Sequence, residues 1–191
     1  MFKRIIRKII TNTYWKLRLG SIGWKSIIYK PILITNPDKI YIGKNTLIRD
    51  NARLEVINRP DMGWSPRLEI GNNVNIEQGA HIICQAEVII ESDVSITPYC
   101  VLVDTYHPYH NPTIGKIGNG LPIEKTFLRI GRGSFIGTHS VIMPNVSIGK
   151  YCIIGAGSVV TKSITDYSIA MGNPAKVTAK YNIDKNIWEK I

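Results

Sequence analysis

From Ile130 onward an aliphatic side chain returns at every sixth position: Ile130, Ile136, Ile142, Ile148, Ile154 and Val160. A period of six is neither the 2.0 of a pleated strand nor the 3.6 of an amphipathic helix. It fits a chain that lays down a short strand, turns by roughly 120°, and repeats, so that three steps close a triangular coil. Such coils stack about 4.8 Å apart through parallel backbone hydrogen bonds. Each coil buries its core only against its neighbours, so several are needed. Glycine often follows the aliphatic (Gly131, Gly137, Gly149, Gly155), and a small or modest residue sits four positions after it (Ser134, Ser140, Val146, Cys152, Ser158). The expected arrangement points the aliphatics inward, fits the small residues at the corners, and uses glycine to relieve the bend.

The same step appears earlier. Ile70, Ile76, Ile82 and Val88 form one run; Ile90, Ile96 and Leu102 form a second, two residues out of phase; Ile42, Ile48 and Leu54 form a weaker third. Residues 130–165 supply two coils, 70–107 about two more, and 40–57 about one. The slips at 88–89 and 55–69 are read as longer corners or small loops. Residues 105–129 carry prolines and glycines but no hexad, which predicts a loop leaving the coil. Loops of that length in a compact domain are usually functional or disordered. The fold class is therefore all-β: a parallel β-helix over 31–165 with an excursion loop at 105–129. A basic helical cap is expected over 1–30, and a tail with a short helical segment over 166–191. A sandwich with a chance hexad is the alternative, and the unbroken register disfavours it.

Hydrophobic residues make up 44 % of the chain and charged residues 20 %, as in soluble globular domains. The net charge of +10 is unevenly placed. Residues 1–30 hold eight Lys and Arg and no acid, leaving 24 − 8 = 16 basic against 14 acidic groups elsewhere. The high pI thus gives no case for a nucleic-acid partner beyond the N-terminus. There Phe2, Ile5, Ile6, Ile9 and Ile10 fall at helical spacing among Lys and Arg. The first reading is a cap over the open end of the fold; the second is peripheral contact with an anionic membrane. No run of 18 apolar residues exists to span a bilayer, and the start does not read as a signal peptide. Cys84, Cys100 and Cys152 form no close pair, which fits free thiols in a reducing cytoplasm.

The segment IGTHSVIMPNVSIGKYCIIGAGSVVTKSI (136–164), followed by MGNPAKV (171–177), resembles the hexapeptide-repeat acyltransferases, in the galactoside and maltose O-acetyltransferase branch. The segment DTYH (104–107) and the tail KYNIDKNIWEKI (180–191) are most similar to bacterial O-antigen and exopolysaccharide O-acetyltransferases. The resemblance spans about residues 70–180. It implies a left-handed coil, a homotrimer, acetyl-CoA as donor with no metal required, and a cytoplasmic enzyme acting on a sugar or polysaccharide hydroxyl. The hand is an exception to the usual right-handed crossover and does not follow from periodicity.

Attack of a sugar hydroxyl on a thioester needs a base, and histidine titrates in the right range. The four candidates are His81, His107, His110 and His139. His107, at the mouth of the loop, matches the family's catalytic histidine, and Asp104 is expected to orient it. On the acceptor side the resemblance points to Glu77, His81, Gln85 and His110; Glu77 and Gln85 replace the Asn and Asp of the galactoside pattern, which puts galactoside and maltose as acceptors in doubt. On the donor side Thr138, Ala156, Thr161 and Lys162 match CoA contacts. The resemblance makes Lys176 the expected phosphate partner and implies that Lys180 stands in for an Arg of the galactoside branch that falls here on Ala179. A backbone N–H near 137–139 is the expected oxyanion donor. Three other readings stand beside this one: an N-acetyltransferase on an amino-sugar nucleotide, a zinc hydratase with three histidines shared across subunits, and a non-catalytic sugar-binding scaffold.

Overall fold

A computed structural model describes residues 2–110 and 115–191; residues 111–114 of the predicted loop lie outside it. The chain winds as a three-faced coil. Face one stacks Ser21–Ile22, Ile40–Ile42, Arg67–Ile70, Glu87–Ile90, Phe127–Ile130 and Val146–Ile148. Face two begins at Ile27–Ile28 and runs through Ser95–Ile96, Phe135–Ile136 and Ile153–Ile154; face three runs from Leu33–Thr35 to Val159–Val160. All pairings between these strands are parallel, with one constant register on each face. The coil begins at residue 21 rather than 31, inside the segment assigned to the cap.

The hexad aliphatics form the interior. Ile130, Ile136, Ile142, Ile154 and Val160 are fully buried, and Ile148 nearly so. The phase slip at 88–90 has a simple cause: Val88 and Ile90 both point inward from one four-residue strand. Ser134, Ser140 and Ser158 are buried at corners, and Ser134 and Ser140 hydroxyls donate to the Gly149 and Gly155 carbonyls of the next coil. The glycines after the aliphatics serve differently from expectation. A Cβ on Gly137 would stand 2.5 Å from the Ala156 nitrogen, so what glycine permits there is close approach of the next coil. The left-handed backbone falls two residues later, at His139 (φ 59°) and Gly157 (φ 67°).

Each end of the coil is closed differently. The N-terminal helix Phe2–Ile10 runs through one π-helical turn, Thr11–Trp15, into a short helical stretch, Lys16–Arg18. Thr11 is buried; its Oγ1 donates to the Arg7 carbonyl (2.7 Å) and accepts from the Ile28 N–H (3.0 Å). The C-terminal tail is not helical. Ser168–Gly172 adds to face two, then Ala175–Asn182 and Ile187–Lys190 pair antiparallel beyond it. Tyr151, Tyr167, Tyr181 and Trp188 form successive ring contacts along this end. Turning the last strands antiparallel blunts the edge that another coil would otherwise extend.

Cys84, Cys100 and Cys152 are all free and buried. Burial raises each thiol's pKa, most strongly at Cys84, where the Asp104 charge adds to it. A thiol-labelling reagent at neutral pH should therefore leave the native protein unmodified and react with all three after denaturation. Mass spectrometry of the labelled protein reads this directly.

Candidate active site

The loop is an insertion at the corner between faces three and one. One coil earlier the chain turns that corner with Gln85 and Ala86 alone; here it leaves after Val103 and rejoins at Phe127. The last three residues of the predicted loop, 127–129, belong to the returning strand. Asp104 is buried where the loop departs, and its carboxylate accepts the backbone N–H groups of Gln85 (2.6 Å), Ala86 (2.8 Å) and Glu87 (2.9 Å). Gln85 is buried beside it: its Nε2 donates to the Pro122 carbonyl (2.8 Å) and its Oε1 accepts from the Thr105 hydroxyl. Further out the Tyr106 hydroxyl donates to the Glu124 carboxylate. The two limbs of the loop are thus laced together above one corner of the coil.

His107 is the next rung of that lacing. Its ring is exposed, and its Nδ1 lies 2.8 Å from the Gly120 carbonyl oxygen. A carbonyl can only accept, so Nδ1 carries the proton and the Nε2 lone pair of the neutral ring is left facing out. This corrects two expectations. Asp104 does not orient His107, because both its oxygens are engaged by backbone N–H groups; the Gly120 carbonyl takes that place. Gln85 does not face an acceptor cleft, because it is buried under the loop and fastens Thr105 to Pro122. Burial raises the Asp104 pKa, opposed by its three N–H donors.

The other acceptor-side residues do not gather at this corner: His81 and Glu77 lie toward the opposite edge of face three, and only His110 lies in the loop. His81 projects from face three, with Nε2 3.7 Å from Glu55, which Arg53 holds at 2.6 Å. Desolvation and the Arg53 charge lower the His81 pKa and favour its neutral form. Glu77 pairs with Arg49 at 3.4 Å, at the start of the corner between faces two and three. His110 lies exposed in the loop against Tyr109, in a hollow also lined by Pro108, Lys116 and Asn119.

The donor-side residues fall into three places. Thr138 and Ala156 occupy stacked corners between faces two and three, and the Gly157 N–H donates to the Thr138 carbonyl (2.8 Å). Thr138 Oγ1 donates to the Pro98 carbonyl (2.7 Å) and so accepts from His139 Nδ1 (3.1 Å), whose ring stacks on Tyr99. Thr161 and Lys162 follow the last strand of face three, at the corner from which the His107 loop departs two coils earlier. Lys176 and Lys180 stand exposed on the antiparallel extension of face two. Of the backbone donors expected for an oxyanion, Gly137 and His139 are engaged by the Ile154 and Pro98 carbonyls. Thr138 is the one of the three whose N–H has no partner among the described residues.

Within one chain, then, His107 sits at one edge of face three and the Thr138–Ala156 corners at the other. Sequence reasoning missed Gly120, Tyr106 and Glu124; Gly120 acts through a backbone carbonyl, which no side-chain pattern announces. Among the described residues no three His, Cys, Asp or Glu side chains converge to hold a metal, and no helix is long and apolar enough to cross a membrane.

Known proteins give this geometry a context. Residues 128–162 match the family model for the bacterial transferase hexapeptide (six repeats). The chain is 29 % identical over 171 residues to a putative lipopolysaccharide biosynthesis O-acetyl transferase, WbbJ, of Escherichia coli K12, covering 86 % of this chain and 83 % of that one. It is 35 % identical over 128 residues to the galactoside O-acetyltransferase of the same strain, covering 66 % of this chain and 61 % of that one, so it spans less than two thirds of that relative. Among solved structures, a galactoside acetyltransferase in complex with coenzyme A aligns with a TM-score of 0.61 at 25 % identity, over 96 % of this chain and 83 % of that one. A mutant of AntD, an N-acyltransferase from Bacillus cereus, in complex with dTDP and coenzyme A, aligns with a TM-score of 0.72 at 23 % identity, over 91 % and 90 %, and speaks to the fold alone. The coil is the left-handed parallel β-helix of these enzymes, its residues 128–162 carry the hexapeptide repeat of the bacterial transferases, and the chain is similar to acetyltransferases along most of its length.

Proposed function

We propose that this acetyltransferase moves the acetyl group of acetyl-CoA onto a hydroxyl of a cell-envelope polysaccharide or its sugar precursor, with His107 as general base. The observation that carries the reading is the bond from His107 Nδ1 to the Gly120 carbonyl, which in the neutral ring makes Nε2 the free acceptor nitrogen of an exposed loop side chain. That nitrogen takes the hydroxyl proton as the oxygen attacks the thioester carbon. The tetrahedral oxyanion is met by a backbone donor, for which the N–H of Thr138 is placed at a corner beside Ala156. As the intermediate collapses, the acetyl–sulfur bond breaks and the thiol of CoA leaves with a proton.

The separation of His107 from the Thr138–Ala156 corners across face three supports a site completed by a second copy of the chain, in a homotrimer. In that arrangement Thr161, Lys162, Lys176 and Lys180 hold pantetheine and phosphates along the C-terminal coils. The reaction belongs on the cytoplasmic side, where acetyl-CoA is available. Gly137→Ala tests the donor corner: its Cβ would press on the Ala156 nitrogen. We expect a stability loss of about 1–3 kcal/mol in thermal melts and a rise in KM for acetyl-CoA larger than the fall in kcat.

The deciding experiment follows CoA release with acetyl-CoA and a panel of envelope glycans and sugar nucleotides bearing either free hydroxyls or free amines. Turnover confined to hydroxyl acceptors supports the proposal. Turnover confined to amino sugars assigns N-acetylation instead, and zinc-dependent hydration of CO2 without CoA release overturns both.

A further inference from the structure

The end of the coil stack where the chain begins differs from the rest of the surface. Of the residues whose side chains are described there, Arg7, Lys8, Lys16, Arg18, Lys25 and Lys30 are basic. The first acid in the chain is Asp38, which pairs with Lys39 at 3.3 Å; Asp50, in the second coil, accepts the Lys30 N–H at 3.1 Å. The same end exposes large apolar side chains: Ile9 is 58 % exposed, Leu17 88 %, Trp24 70 % and Ile32 71 %. Two of its aromatic rings carry cations on their faces, Lys25 over Trp24 at 4.2 Å and Arg18 over Tyr14 at 5.0 Å.

The cap accounts for only part of this. The Thr11–Ile28 bond fastens the helix to the first coil, and Trp15 and Leu19 pack onto the core. Ile6 and Arg7 line a hollow with Tyr29 and Asp50, yet Ile6 is still exposed, and Ile5 and Ile9 are more so. A helix that served only to close the coil would turn these isoleucines inward. Exposed isoleucine, leucine and tryptophan interleaved with cations that form no ion pair among the described residues match the boundary of an anionic bilayer, where apolar groups enter the acyl region and cations stay among the headgroups. Tryptophan and tyrosine with a neighbouring cation suit that boundary because one molecule-edge must be apolar and the other wet.

We propose that the N-terminal end, through Ile5, Ile9, Leu17, Trp24 and the surrounding lysines and arginines, docks peripherally on an anionic membrane surface. The proposal does not depend on the acceptor, and its readout is binding rather than acetyl transfer. Full-length protein is sedimented with vesicles of phosphatidylcholine alone and of phosphatidylcholine with phosphatidylglycerol, at low salt and at about 0.15 M salt. Binding to the anionic vesicles, weakened by salt, with little to the neutral ones, is the expected result. The combined variant Lys8→Gln, Lys16→Gln, Lys25→Gln should bind about a hundredfold more weakly. Ile9→Ser with Leu17→Ser should weaken binding at both salt levels while leaving the melting temperature unchanged.

Equal binding to both vesicle types, or none to the anionic ones, overturns the proposal. If wild-type protein ignores vesicles and the Ile9→Ser, Leu17→Ser variant instead sediments as a smaller species, the face is an interface with a second copy, and the membrane assignment fails. The salt series on the wild-type protein decides the matter even if a variant does not fold.

Discussion

His107→Ala should lower acetyl transfer by about 10²–10⁴-fold in kcat, the range for loss of a positioned base, with KM for acetyl-CoA nearly unchanged. The split matters as much as the size. His107 stands on the loop, across face three from Thr138 and Ala156, so removing its ring takes away a proton acceptor without disturbing those corners. Steady-state kinetics at saturating acceptor measures both parameters. A sugar-binding scaffold would predict no loss at all, because the exposed imidazole makes one bond, to Gly120, and removing that bond costs the fold little.

The second large effect lies in stability. Asp104→Ala strands three backbone N–H groups, at Gln85, Ala86 and Glu87, around a buried site. With each orphaned donor costing about 1–3 kcal/mol, the loss should be at least about 3 kcal/mol at neutral pH. For a chain of this size that is a fall in melting temperature of about 6–12 °C. Because burial raises the Asp104 pKa above its unfolded value of 3.8, the folded state binds that proton more tightly than the unfolded one. The advantage of wild type over Asp104→Ala should therefore shrink as pH rises from the unfolded pKa through the folded one, then level off. Denaturation curves across the acid range measure the difference. Activity should also fall, since the clasp of Asp104, Gln85 and Thr105 holds the limb that carries His107.

The coil was legible because its signal is repeated: each inward aliphatic from Ile130 to Val160 obeys one period, and the structure buries all of them. The pairing of Asp104 with His107 misled for a physical reason. Along extended chain, side chains alternate sides. Leu102 and Asp104 share the inward parity; beyond Asp104 the chain leaves the strand and His107 stands exposed on the loop, so a D-x-x-H spacing that would adjoin two residues on a helix parts them here. The C-terminal tail held a similar clue. Val177, Ala179 and Tyr181 alternate with Lys176, Thr178 and Lys180, a period of two that belongs to a strand. What no residue pattern could supply was Gly120, since every residue offers a carbonyl and only the path of the loop selects one.

The returning strand meets the coil with Phe127 opposite Glu87 and Ile130 opposite Ile90, as though nothing had intervened. Registration of the stack is therefore indifferent to the length of what is spliced in between. Lengthening such a segment is thermodynamically mild, about 0.6 kcal/mol for each doubling. The loop at 105–126 can then change in length or sequence while the strands that follow it keep their places in the stack.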